Sequence, residues 1–223
     1  MVKMEQAEKT DLLARMKALA HAQHAELVNI RRHLHENPEL GFEEVATAQY
    51  IADYLAGLGL EVTRQVAKTG VVALIRGVQP GKTVAIRADM DALPIQELNE
   101  VPYKSKHPGK MHACGHDAHV AAAIGAARIL WELRDQINGN VKFIFQPAEE
   151  APGGAEPMIA AGVLENPTVD AIIGGHVWGG LESGIIEVMS GPTMASSDII
   201  RLKIIGKGGH AAQPHTTIDP IVI

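Results

Sequence analysis

Cysteine is almost missing from this chain: Cys114 is the single one in 223 residues. No disulfide can close within the chain, so stability has to come from core burial, and a reducing compartment fits. Basic runs are absent and the formal net charge is −6, which argues against nucleic acid or an anionic membrane as the main partner. No apolar run approaches the roughly 20 residues a membrane helix needs. The opening MVKMEQAEKTDLLARM carries too many charges for the apolar segment of a signal peptide. Internal repeats and low-complexity segments are lacking too. What remains is 46% hydrophobic and 21% charged, the composition of an ordinary soluble globular protein. It reads as cytoplasmic, with length for one sizeable domain and part of another.

The periodicities predict alternating helices and strands. Leu12, Met16, Leu19, Leu27, Ile30 and Leu34 recur at helical spacing over 10–36, and Pro38 stops the helix. A second helix is expected over 43–58, closed by Gly57 and Gly59. GVVALI (70–75) and TVAIRA (83–88) read as strands joined by turn chemistry at GVQPGK. A helix over 115–133, a strand at VKFIFQ (141–146), a short helix at GAEPMIAAGVL and a strand at AIIGGHVW (171–178) follow. The expectation is a layered α/β fold, a mostly parallel sheet flanked by helices, with ligands gathering beyond the carboxyl ends of the strands. Late in the chain, IIRLKII (199–205) reads as one more strand, leading into GKGGHAAQPH. The helix opened by IDPIVI is not continued, which suggests a second domain that has barely begun.

Four polar groups adjoin those strands and helix starts: RADMD (87–91), HACGHD (112–117), QPAEE (146–150) and GGHVW (174–178). A parallel sheet would bring them to one edge. They offer Asp89, Asp91, His112, Cys114, His116, Glu149, Glu150 and His176, and such a set of thiolate, imidazole and carboxylate suits zinc, manganese or cobalt. Singly, each has a bland reading: a small buried cysteine, a structural histidine, a solvated acidic pair. Four coincidences at strand ends are a poorer account than one metal site. Paired glutamates suit metal hydrolysis, because one can ligate while its neighbour stays free to take a proton. A thiolate could also bridge two ions. Two other patterns fail. GVQPGKT is one residue short of a phosphate loop and precedes a strand, and RRHLHENPE lacks the helical HExxH arrangement.

Together RRHLHENPELGFEE, TGVVA, RADMDALPI, MHACGHDAH, QPAEE and GGHAAQPH resemble the M20 metallopeptidase family. The likeness is greatest to its amidohydrolase branch of hippurate hydrolases, N-acyl-amino-acid deacylases and auxin-conjugate hydrolases. The resemblance implies a zinc-peptidase-like catalytic domain, here 1–193, interrupted by a smaller lid and dimerisation domain beginning at 194–223. It implies two divalent ions (zinc, or manganese or cobalt) on Cys114, His116, Glu150 and His176, with Cys114 bridging and Glu149 as general base. Asp91 would orient a metal-bound histidine, and two positions earlier Asp89 stands where other members carry histidine. His210 would bind the developing oxyanion, often across a homodimer. A final histidine ligand would lie beyond residue 223, so these residues by themselves are expected to bind metal weakly and hydrolyse poorly. The expected substrate is a small N-acyl or N-aroyl amino acid. A dipeptidase or aminopeptidase of the same superfamily, and a non-catalytic metal-binding protein of the same fold, remain as alternatives.

Overall fold

The computed structural model describes residues 6–196 and 198–223. Residues 1–5, the start of the charged N-terminal stretch, and Ser197, just ahead of the expected late strand, lie outside the described residues. Contacts divide the chain into two units, one ending at Gly179 and the other spanning Gly180–Ile223.

The first unit is α/β, a sheet flanked by helices. Helix α1 (Gln6–Glu36) buries its apolar stripe only toward its end, at Ile30 and Leu34. Helix α2 (Val45–Leu58) ends at Gly59 in the left-handed conformation, whose N–H caps Ala56 O. The strands are β1 (Glu61–Val66), β2 (Gly70–Arg76) and β3 (Gln79–Asp89), then β4 (Asn138–Gln146) and β5 (Ala171–Gly174). Helix α3 (His116–Glu132) follows β3, and the short α4 (Ala155–Ala160) follows β4. Among the described residues no helix is long and apolar enough to cross a membrane.

The sheet order is β1-β2-β4-β3-β5. β3 runs parallel to both β4 and β5, whereas β1–β2 and β2–β4 are antiparallel. The sheet is therefore mixed: parallel around its site-bearing strands and antiparallel on the β1 side. Strand β1 has no counterpart in the sequence reading. EVTRQV is exposed at most positions, as suits an edge strand, and its alternation breaks at a register shift between Thr63 and Val66.

Alternation along β4 fills both faces of the sheet. Phe143 and Phe145 join Val71, Ala73, Ile75, Ile51, Leu55 and Ile124 in the main core under α1, α2 and α3. Ile144 packs with Ala85, Met158 and Val163 on the opposite face. Each fully buried side chain of this size contributes about 1.5–3 kcal/mol. β4 also turns Lys142 into the second face, where its ammonium donates to the carbonyls of Val163, Glu165 and Pro167 at 3.0, 2.6 and 2.9 Å. Burial lowers its pKa, but three acceptors satisfy its three donors. Lys142→Met keeps the apolar stem and strands those carbonyls. We expect it to cost about 2 kcal/mol, read as a lower urea midpoint at unchanged slope. An unchanged midpoint would mean that water substitutes for the ammonium.

The second unit is exposed almost throughout. Its regular features among the described residues are a single 3-10 turn, Pro214–Thr216, and a bridge between Lys207 and Ile218. The strand expected over 199–205 is not formed, which corrects the sequence reading. Its alternation has no neighbouring strand to pair with in that unit, and a lone strand gains neither ladder hydrogen bonds nor burial.

Candidate metal centre

The parallel register explains why distant motifs meet. Asp89 pairs with Gln146 and Arg87 with Gly174, so β3, β4 and β5 release their following loops at one edge. From those loops come Asp91, Glu149, Glu150 and His176. The loop holding Cys114 enters α3 beside them. Gly115, the N-cap of α3, has φ +86°, and a Cβ there would stand 2.4 Å from Val177 Cγ2. Only glycine fits so close an approach in that conformation.

His116 opens α3 and is buried. Its Nδ1 lies 2.9 Å from the Asp91 carbonyl and 3.3 Å from Asp91 Oδ1. A carbonyl only accepts, so Nδ1 carries the hydrogen and Nε2 presents a lone pair. That Nε2 is buried with no hydrogen-bond partner among the described residues. Around it stand Asp89 Oδ2 at 3.7 Å, Glu150 Oε1 at 3.8 Å and Glu149 Oε2 at 3.9 Å. His176 shows the same polarity: Nδ1 donates to Val177 O at 2.5 Å, leaving Nε2 3.4 Å from Cys114 Sγ.

Cys114, His116 and His176 form one set whose donor atoms all lie within 4.8 Å of one another. His116, Glu149 and Glu150 form a second, and Asp89, His116 and His119 a third. A buried imidazole nitrogen without a partner among the described residues, beside carboxylates, a thiol and a second imidazole nitrogen that meets only that thiol, fits a divalent cation.

The electrostatics agree. Burial opposes a charge on His116, but Asp91, Asp89 and Glu149 outweigh it and raise its pKa, so the pocket favours a cation, either a proton on Nε2 or a metal ion that displaces it. Burial likewise opposes ionisation of Asp91 and Asp89. Hydrogen bonds from His116 to Asp91 and from His119 to Asp89, with Arg87 and His116 nearby, hold both down, Asp89 to about 2. Burial pushes the Cys114 thiol up, and Glu150, Glu149 and Asp89 push it further, to about 12. A thiolate there needs a metal ion to form.

Asp91 also accepts the Glu150 N–H at 3.1 Å, so it fixes both His116 and the acidic pair. His112 does not join these groups. It is buried beside His35, both its nitrogens lack partners among the described residues, and burial lowers its pKa to about 4. His210 lies in the second unit, exposed, its Nδ1 accepting the Ala212 N–H at 3.1 Å.

Two supporting residues escaped the sequence reading. Glu44, buried at the start of α2, accepts from the Ala148 N–H at 2.8 Å and from the Thr69 hydroxyl at 2.7 Å. It thereby steadies the turn before Glu149, where Ala148 has φ +49°. His119 is the other. Its spacing from His116 put both on one face of α3, a signal available in the sequence.

Comparison with known proteins accords with this arrangement. The pattern of peptidase family M20/M25/M40 matches residues 85–220. The N-acyl-L-amino acid amidohydrolase of Geobacillus stearothermophilus is 55% identical over 195 residues, covering 86% of this chain and 52% of that protein. The IAA-amino acid hydrolase ILR1-like 4 of Arabidopsis thaliana is 51% identical over 196 residues, covering 88% of this chain and 44% of its own length. The chain spans about half the length of the curated relatives it matches. Among solved structures, the YXEP protein of Bacillus subtilis, described as a dinuclear metal binding peptidase, superposes with TM-score 0.67 at 50% identity. That match covers 70% of this chain and 43% of the other. This chain belongs to peptidase family M20/M25/M40.

Proposed function

We propose that the protein hydrolyses the amide bond of N-acyl or N-aroyl amino acids with two divalent metal ions, zinc or else manganese or cobalt. The observation that carries this is the buried His116 Nε2, unpartnered among the described residues and 3.8 and 3.9 Å from the Glu150 and Glu149 carboxylates, on a residue grouped within 4.8 Å with donor atoms of Cys114 and His176. The relatives named above, an amidohydrolase and an amino acid hydrolase, support the substrate class.

In this reading Cys114, His116, Glu150 and His176 would hold the metal. Glu150 suits a ligand because its N–H is anchored on Asp91 and its carboxylate stands 3.8 Å from His116 Nε2. Glu149, whose side chain is 39% exposed against 28% for Glu150, is left as the base. When bound, the ions would polarise the scissile carbonyl and lower the pKa of a water from 15.7 toward about 7. Glu149 takes that water's proton on a carboxylate oxygen and hands it to the leaving amine nitrogen. Asp91 keeps the hydrogen of His116 on Nδ1, so that Nε2 stays a donor to metal. His210 is assigned to the developing oxyanion on the strength of its Gly-Gly-His-Ala-Ala-Gln-Pro setting. Residues 1–193 are taken as catalytic and 194–223 as the start of a lid through which the protein dimerises. The unpaired thiol in the site favours the cytoplasm.

Cobalt titration tests the reading. The intact protein should develop a thiolate-to-cobalt charge-transfer band that Cys114→Ser removes, and hippurate and N-acetyl amino acids should be cleaved in preference to unblocked dipeptides. No cobalt uptake at any pH would end the metal assignment, and a preference for dipeptides would move the protein to the peptidase branch.

A further inference from the structure

His119 is buried, and both its ring nitrogens are engaged. Nδ1 lies 2.6 Å from Asp89 Oδ1, and Nε2 lies 2.9 Å from the backbone nitrogen of Val177. A backbone amide only donates, so Nε2 accepts; the ring hydrogen then sits on Nδ1 and is donated to the Asp89 carboxylate. Although Asp89, His116 and His119 lie close enough together to hold an ion, His119 has no lone pair left to offer one.

Its partners are themselves fixed. Arg87 Nη1 donates to Asp89 Oδ2 at 2.6 Å, and Arg87 Nε donates to Gln146 Oε1 at 3.0 Å. A continuous chain of hydrogen bonds thus runs from the end of β4, across β3 and α3, to the amide that follows His176. The carbonyl of the same Val177 accepts from His176 Nδ1. Val177 is therefore held at its N–H by His119 and at its C=O by His176, and the two imidazole rings lie 4.7 Å apart. The loop bearing His176 leaves a four-residue edge strand that is exposed along its length, so the ladder alone fixes it weakly.

We propose that His119 is a positioning residue: its Nε2 clamps the Val177 amide and so sets where His176 stands relative to Cys114 and His116. The proposal rests on the metal reading of the site. His119→Gln places an amide oxygen where Nε2 was and can still accept from Val177. His119→Asn reaches only as far as Nδ1 and keeps only the Asp89 contact. Nitrogen NMR of the wild-type chain should show the Nδ1–H tautomer at His119. In the metal-free chain the Val177 amide should exchange with solvent at least tenfold faster in His119→Asn than in wild type, with His119→Gln restoring most of the protection. Cobalt affinity should fall roughly 10- to 100-fold in His119→Asn, the usual effect of losing a residue that orients a ligand, and recover in His119→Gln. An Nε2–H tautomer, equal exchange in all three proteins, or a glutamine variant no better than the asparagine variant overturns the clamp. If His119→Asn does not fold, the tautomer and the glutamine variant decide. An intact wild-type protein that takes up no cobalt overturns the metal reading instead, and the tautomer and exchange rates still judge the clamp.

Discussion

In the intact protein, Glu149→Gln is expected to bind cobalt as the wild type does and to hydrolyse N-acyl amino acids roughly 10²- to 10⁴-fold more slowly, the range a positioned general base contributes. Glutamine keeps the shape and the carbonyl oxygen but cannot hold the proton. The backbone of the acidic pair should not move, because the Glu150 N–H is anchored on Asp91 Oδ2 and the Ala148 N–H on Glu44. The loss should fall on kcat, with KM little changed, since the missing interaction exists only as the proton is transferred. Glu150→Gln supplies the contrast: it removes a charged donor from the Cys114 and His116 cluster and should weaken cobalt binding as well as turnover. If Glu149→Gln loses the ion while Glu150→Gln keeps it, the two roles are exchanged. If Glu149→Gln turns over at the wild-type rate, neither assignment of a base to this residue survives.

The motifs that meet at the candidate site were legible because the fold gathers strand ends, and the sequence marks strand ends by where apolar runs stop. VKFIFQ running into PAEE, and AIIGG into HVW, show this plainly, and β4 and β5 do release those residues at one edge. What was not legible is what holds the donors still. His119 meets Asp89 30 residues away and Val177 58 residues away, and Glu44 reaches Ala148 across 104 residues. No periodicity encodes such pairings; they arise only once the register is set. Periodicity also misleads where it lacks context. EVTRQV has little apolar alternation yet forms β1, because β2 supplies a ladder for it. IIRLKII alternates well yet forms no strand, because no neighbour in its unit supplies one.

The RRHLHENPE segment illustrates the same limit and leads to the largest expected effect on stability. Dismissed as a metal motif, it places His35 in a buried ion network. His35 Nδ1 lies 2.7 Å from Asp117 Oδ2 and Nε2 lies 3.2 Å from Glu97 Oε1. Both partners are carboxylates that only accept when ionised, so an imidazolium with hydrogen on both ring nitrogens satisfies them together. Asp117 raises the pKa of His35, burial opposes it, and Glu97 raises it further, for a net upward shift. Burial opposes ionisation of Asp117 and Glu97, but hydrogen bonds, from His35 to Asp117 and from the Ser105 amide and His35 to Glu97, prevail and lower both pKa values. His35→Ala would leave two buried carboxylates short of a cation, with Arg31 Nε at 2.8 Å still serving Asp117. We expect a loss of about 3–5 kcal/mol, as when one partner of a buried pair is removed, measured by urea unfolding of wild type and variant across pH. The dependence has a definite sign. A histidine whose folded pKa is raised contributes fully below about pH 6.5 and loses that contribution as pH rises through the folded value. Carboxylates with lowered pKa contribute above about pH 4.5 and lose that contribution as pH falls through theirs. The gap between wild type and His35→Ala should therefore be widest between about pH 5 and 6.5 and narrow on both sides. A gap that widens steadily above pH 7 would mean that His35 is neutral in the folded chain and that one of the two carboxylates holds the proton instead.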